Sequence, residues 1–227
     1  MTPAAAAADL AWTSPGPYGR ALRAGRGPLF LRRADGWLLP LDVERWCAGP
    51  DAADRTVLER CTGPVLDIGC GPGRLVAALA ADGHPALGID LSTEAVRHAG
   101  ARGASALRRS VFDPLPGAGR WGTALLMDGN IGIGGDPHAL LTRIAQLLRP
   151  TALLLIEVAA EDVDERVHVH VDDGRGTAAS APSFPWARVG SAALRRRAAG
   201  AGWRVSEEWQ AAGRSFVAAR RSTAEGA

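Results

Sequence analysis

The sequence predicts an α/β fold, doubly wound around a mostly parallel sheet. Three observations carry the prediction. From Gly63 onward, short apolar runs alternate with segments of helical period. The connecting segments have the length of right-handed crossovers between parallel strands. One apolar run, VLDIGCGPGRL from Val65 to Leu75, breaks into glycines before resuming as a helix.

At 227 residues the chain can bury one such core and still carry a cap. Its 47% hydrophobic and 22% charged residues are ordinary for a soluble globular protein, and no apolar run approaches the ~18 residues of a membrane span. The alanine-rich start MTPAAAAADLAW lacks the basic start and apolar h-region of a secretory signal; it is read as a frayed terminus, and a cytoplasmic location is expected. Cys47, Cys61 and Cys70 form no CxxC pair, which argues against a disulfide framework and a zinc site. Net charge is only +2 and the basic clusters are widely spaced among acids, so neither nucleic acid nor a membrane is an expected partner.

Before the alternation, Tyr18 to Arg23 suits a short helix, and LFLRRADGWLLPL reads as two strands around an Asp35-Gly36 type I′ turn. Val43 to Cys61 fits one or two helices broken near Gly49-Pro50. Five strands follow, in GPVLDIG, PALGIDL, SALRRSVFD, WGTALLMDG and TALLLIEVA, with helices RLVAALAADG, TEAVRHAGARG and HALLTRIAQLLRP between them. Ser92 is placed to cap the second helix, Asp136-Pro137 opens the third, and Pro150 is expected to stop it. After Val158 the chain turns acidic, alternates Val and His, and becomes turn-rich, the pattern of an insertion or lid at about 159–190. SAALRRRAAGAG then reads as a helix before a hairpin of WRVSEEWQ and RSFVAARR, which makes the final strand antiparallel. The expected division is an N-terminal cap over 1–56 and a core over 57–227.

Gly69, Gly71 and Gly73 sit where missing side chains let a ligand approach backbone at a helix N-terminus. A dinucleotide fingerprint would need glycine at position 74, which holds Arg74, so a nicotinamide cofactor fits poorly. Asp67 lies in the strand before the glycines, and Asp90 ends the next strand, where an acid can accept from both ribose hydroxyls.

VLDIGCGPGRL, then LGIDLS and VFDPLP, resembles the class I S-adenosylmethionine-dependent methyltransferases over roughly Val57 to Arg221. The resemblance implies a Rossmann-like, seven-stranded sheet with S-adenosylmethionine as cofactor and S-adenosylhomocysteine as product. It implies that Asp67 faces the methionine amino group and that Gly69 and Gly71 give backbone contact. Cys70 belongs to the same loop, as a small packing residue. Asp90 takes the ribose, Leu91 packs on adenine, Asp113 beside Phe112 accepts from the adenine amine, and Met127 to Asn130 stand beside the sulfonium and substrate.

A sulfonium carries its own leaving group, so alignment and exclusion of water matter most and a general base is optional. The candidates for a catalytic group are Asp128, Asn130, Glu157, His138, His168 and His170. His168, His170 and Asp172 fall on one side of a strand, a geometry conceivable for a metal although none is expected. Trp12, Tyr18, Trp37, Trp46 and Trp186 lie outside the core repeats, where they could wall a pocket or cement the cap. The chain lacks the Asn/Asp-Pro-Pro-Tyr/Phe motif of base-modifying enzymes, and its extra elements resemble the lids of small-molecule methyltransferases. The expected reaction is methyl transfer to oxygen or nitrogen of a small metabolite, by a monomer or homodimer. The competing readings are a non-catalytic S-adenosylmethionine sensor or scaffold, and a methyltransferase acting on RNA or protein.

Overall fold

A computed structural model describes residues 12, 16–175 and 182–222. The N-terminal stretch read as frayed lies outside them apart from Trp12, as does the 176–181 part of the expected lid.

The chain opens with α1 (Pro17–Ala24), the hairpin β1 (Phe30–Arg32) and β2 (Leu38–Pro40), α2 (Val43–Cys47) and α3 (Ala52–Leu58). Then come β3 (Val65–Ile68), α4 (Arg74–Ala81), β4 (Ala86–Asp90), α5 (Thr93–Ala101), β5 (Ala106–Arg108) and β6 (Trp121–Leu126). A 3-10 segment (Asn130–Gly135) leads into α6 (Pro137–Leu147), β7 (Leu148–Val158), β8 (Asp164–Asp172), β9 (Phe184–Val189), α7 (Ser191–Gly200), β10 (Trp203–Ala211) and β11 (Arg214–Arg221).

Seven strands form the core sheet in the order β10-β11-β7-β6-β3-β4-β5, and only β11 runs antiparallel to its neighbours. Side chains alternate across it as strand geometry requires. Leu66, Leu126, Leu154 and Ile156 face α6 and α7, whereas Val65, Leu125 and Leu155 face α3 and α4. All of these are buried, so both faces are covered and the sheet reads as near-continuous apolar runs. Because the chain leaves β3 towards β4 on one side and returns through β6 on the other, the C-terminal end of β3 is a topological switch point, where open α/β sheets bind ligands.

Local chemistry sets the boundaries. Ser92 accepts from the N–H of Ala95 at 3.3 Å, and Asp136 accepts from His138 and Ala139 with Pro137 at the first position of α6. Asp51 and Asp54 exchange side-chain bonds with each other's backbone at the start of α3, a reciprocal capping box.

The N-terminal segment and the segment after β7 share one structure. Strands β2, β1, β8 and β9 form a second, antiparallel four-stranded sheet, with Leu31 opposite Val171 and Val169 opposite Phe184. Its inner face packs on Tyr18, Leu22, Val43 and Trp46, and on Ala95 of α5. An ion pair of Arg32 with Asp172, and one of Arg20 with Asp173 at 2.8 Å, tie the two segments together.

Three local expectations change. Asp35 keeps a negative φ; the β1–β2 turn closes through Gly36 N–H to Arg33 O and Arg33 N–H to Trp37 O, with φ +91° at Gly36, so it is a three-residue turn with a glycine bulge rather than type I′. The strand expected over SALRRSVFD stops at Arg108, because Ser110 and Asp113 bond each other in a turn. Helix α6 ends at Leu147, and Pro150 lies in β7 between the paired positions Leu148 and Leu153. No helix among the described residues is long and apolar enough to cross a membrane.

Candidate functional site

The glycine loop joins β3 to α4 and is pinned to β4, since the N–H groups of Gly69 and Cys70 both donate to Ile89 O, at 2.9 and 3.0 Å. Gly69, Gly71 and Gly73 have φ of +73°, +53° and +79°, which L side chains rarely adopt. Each glycine answers to a different neighbour. A Cβ at Gly73 would stand 2.7 Å from Ala99 Cβ, so this glycine seats α4 against α5. At Gly69 it would stand 2.5 Å from Asn130 Nδ2, which donates to Ile68 O and Gly69 O at 2.9 and 3.0 Å. At Gly71 it would meet only Tyr18 Oη, at 3.5 Å, so Gly71 opens towards free space.

That space is a cleft of about 970 Å³ including its open mouth. On one side its wall is the glycine loop with Asp90, Leu91, Ser110 and Val111; on the other it is the cap, with Trp12, Tyr18, Trp46, Phe184 and Trp186. Asp90 accepts from Gly71 N–H at 2.9 Å and from Ser92 N–H at 2.8 Å. Burial pushes its carboxyl up to about 6, against the pull of those backbone donors.

Beneath the cleft lies a buried ionic cluster. Arg74 is 4% exposed; its guanidinium grips Asp54 at 2.8 and 3.1 Å and Asp128 at 2.8 Å. Arg214 reaches Asp54 at 2.9 Å and Glu157 at 2.6 Å, and Arg45 of α2 reaches Asp128 at 2.7 Å. Burial works against ionisation of Asp128, but Arg74, Arg45 and Arg214 together hold its carboxyl below the usual range. Asp128 also has φ +58°, and its N–H donates to Glu157 at 2.8 Å, so the cluster fixes a sharp turn at the end of β6. Asp67, 3% exposed, stands behind the loop; burial pushes it up to about 7, opposed by Arg74 and reinforced by Asp128 and Asp90.

The structure thus brings Gly69, Cys70, Gly71, Asp90, Leu91, Asp128 and Asn130 into one cleft lining. Asp67 and Met127 lie outside that lining, the latter packed in the core at 2% exposure. Asp113 is exposed and accepts from Ser110 N–H, so its carboxylate serves its own turn, and Ser110 and Val111 take the place on the wall. Phe112 is 47% exposed, its ring beside Gly134. His168 and His170 alternate with the inward-facing Val167, Val169 and Val171 and are not in the cleft lining; nor are Asp172, which holds Arg32, and His138, on the exposed first turn of α6. Trp37 packs under Arg33 and Arg188 outside the cleft.

Arg74 is a residue of the site that no motif names, although an arginine opening the buried, apolar helix RLVAALAA is itself a signal. The glycines of NIGIGGDP have a packing role as well. A Cβ at Gly132 would overlap Ala187 O and stand 2.6 Å from the Trp186 ring, and one at Gly135 would stand 2.5 Å from Pro185, so these glycines seat β9 and its aromatic residues on the core.

A family model described as "Methyltransferase domain" matches residues 44–208. No curated protein matches the chain in sequence. Among solved structures, a SAM-dependent methyltransferase from Bacteroides fragilis in complex with S-adenosyl-L-homocysteine is similar at TM-score 0.74 and 21% identity, with 98% of each chain covered. The 1,6-didemethyltoxoflavin-N1-methyltransferase of Burkholderia thailandensis aligns at TM-score 0.54 and 22% identity over 71% of this chain and 72% of that one. The CcbJ methyltransferase of Streptomyces caelestis aligns at TM-score 0.59 and 15% identity over 78% and 92%. At these identities the likeness is one of fold.

Proposed function

The chain belongs to the methyltransferase-domain family, and on that premise we propose that it is an S-adenosylmethionine-dependent methyltransferase acting on an oxygen or nitrogen of a small molecule. The observation that carries this reading is the position of Asp90. Its carboxylate stands at the end of β4 and the rim of the glycine loop, inside the cleft, with two backbone N–H groups fixing its direction.

The donor set suits the cofactor. Asp90 can accept from ribose hydroxyls, Leu91 and Val111 offer apolar faces for a base, and the open side of Gly71 admits close approach of backbone. Bound there, S-adenosylmethionine supplies a methyl group already activated on a sulfonium. The chain has to hold an acceptor in line and keep water out, and the aromatic cap over the cleft suits both tasks. Asp128 is committed to Arg74 and Arg45, and the Asn130 amide to two carbonyls. They act as positioning residues that hold the β6 turn and the glycine loop in register. We assign residues 57–227 to the cofactor-bearing core, and 1–56 with about 159–190 to the acceptor side.

A cleft walled on one side by the aromatic cap favours a small acceptor over RNA or protein. The test is transfer of radiolabelled methyl from S-adenosylmethionine to fractionated cell extract. Label in the small-molecule fraction is expected; label confined to RNA or protein would replace the acceptor class, and no label in any fraction would favour a non-catalytic binder.

A further inference from the structure

The methyltransferase reading leaves the acceptor unnamed, and the cap side of the cleft constrains it. Five aromatic rings line that side, contributed by three separate stretches of chain: Trp12 and Tyr18, then Trp46, then Phe184 and Trp186. The rings do not stack on one another. Trp12 meets Tyr18 at 89°, Tyr18 meets Trp46 at 75°, and Phe184 meets Trp186 at 88°, with centroids 5.0, 6.2 and 6.3 Å apart. In an edge-to-face pair only one ring gives up a face, where a stacked pair spends a face of each.

The cap residues of the cleft lining carry no charge, and its charged groups all belong to the core. Asp128 is held by Arg74 and Arg45 at 2.8 and 2.7 Å. Asp90 belongs to the loop side, with Gly71 and Ser92. Arg109 lies on the same side as Asp90, beside Ser110, and is exposed. A charged acceptor entering the box would lose its water without gaining an opposite charge, which is costly. An uncharged ring loses little and gains contact on several faces. Tyr18 marks where the two halves meet, since its Oη is 3.5 Å from the position of a Cβ on Gly71.

We propose that the acceptor half of the cleft takes a flat, uncharged aromatic molecule, held among Trp46, Phe184 and Trp186 with its reactive edge towards Tyr18 and Gly71. This rests on the methyltransferase reading and narrows its substrate class.

The test is calorimetric titration of the full chain, saturated with S-adenosylhomocysteine, with three probes of one skeleton: 2-naphthol, the anionic 6-hydroxy-2-naphthoate, and the saturated decahydro-2-naphthol. The first should bind at least about tenfold more tightly than either of the others, the scale of one aromatic contact set. Trp186→Ala should weaken 2-naphthol about tenfold while leaving S-adenosylhomocysteine affinity within about twofold, and Trp186→Phe, which restores a ring, should recover most of the loss. Equal or tighter binding of the charged or saturated probe, or no binding of 2-naphthol by a chain that binds S-adenosylhomocysteine, would overturn the proposal. Failure of wild type to bind S-adenosylhomocysteine would instead overturn the methyltransferase reading, and this inference with it.

Discussion

Replacing Arg74 by methionine isolates the buried ionic cluster, because the side-chain stem is kept and only the guanidinium is lost. Three hydrogen bonds go with it, two to Asp54 and one to Asp128, leaving carboxylates that are 0% and 13% exposed. Breaking one partner out of a buried pair costs about 3–5 kcal/mol, since the charge left behind stays desolvated. Here Asp54 keeps Arg214 at 2.9 Å and Asp128 keeps Arg45 at 2.7 Å, so the low end, about 3 kcal/mol, is expected. With a urea slope of roughly 2–3 kcal/mol per molar, the unfolding midpoint should fall by about 1–1.5 M. Arg60→Met is the control: its partner Glu207 is 46% exposed, and such surface pairs contribute only about 0–1 kcal/mol. Acid adds a second readout. Burial raises the Asp54 carboxyl, yet Arg74 and Arg214 overcome this and hold it at about 2 against an ordinary 3.8. A depressed value means that folding favours the ionised form, so its stabilisation is present above pH 3.8 and drains as pH falls towards 2. In Arg74→Met that acid-side loss should shrink. A midpoint shift no larger than that of Arg60→Met would show that the buried cluster does not carry this stability.

Asp67 and Asp90 should act in the opposite sense. Burial lifts them from 3.8 to about 7 and about 6, so the folded chain holds protons that the unfolded chain has released, and stability falls as pH rises from about 4 to 7. Asp67→Asn should remove a share of that slope worth up to about 4 kcal/mol, measured by urea unfolding at several pH values; an unchanged slope would contradict the burial argument. Gly132→Ala tests the seat of the cap. Its Cβ would overlap Ala187 O and press on Trp186, so Trp186 fluorescence should change and stability drop by about 1–3 kcal/mol, with S-adenosylhomocysteine affinity preserved. A variant indistinguishable from wild type would show that β9 is not seated there.

The core was legible because its signals are local and repeated. Alternating apolar runs, the Ser92 and Asp136 caps and the glycine loop each name an element within a few residues. What stayed hidden depends on contacts far apart in sequence. Nothing in FLR or in DERVHVHVD says that these two stretches pair, yet Phe30 lies opposite Asp172 and the cap sheet exists only through that pairing. The ionic cluster draws on Arg45, Asp54, Arg74, Asp128, Glu157 and Arg214, which no spacing rule connects. On the site itself, the strand-end acid Asp90 and Leu91 could be placed because a strand end fixes direction. Asp113 could not, because the turn after β5 lets its carboxylate fold back on Ser110 N–H. The pair His168 and His170 obeyed strand alternation, but alternation alone does not say which face meets the cleft. The three valines beside them decided it.

The glycine loop and Asp90 form the proposed S-adenosylmethionine site. Calorimetric titration of wild type and Asp90→Ala with S-adenosylhomocysteine, and with NADH as the control ligand, tests it most directly. Micromolar binding of S-adenosylhomocysteine by wild type, a loss of about 1.5–3 kcal/mol in Asp90→Ala as charge-supported hydrogen bonds disappear, and no binding of NADH are expected. Binding of NADH, or unchanged S-adenosylhomocysteine affinity in Asp90→Ala, would contradict this assignment.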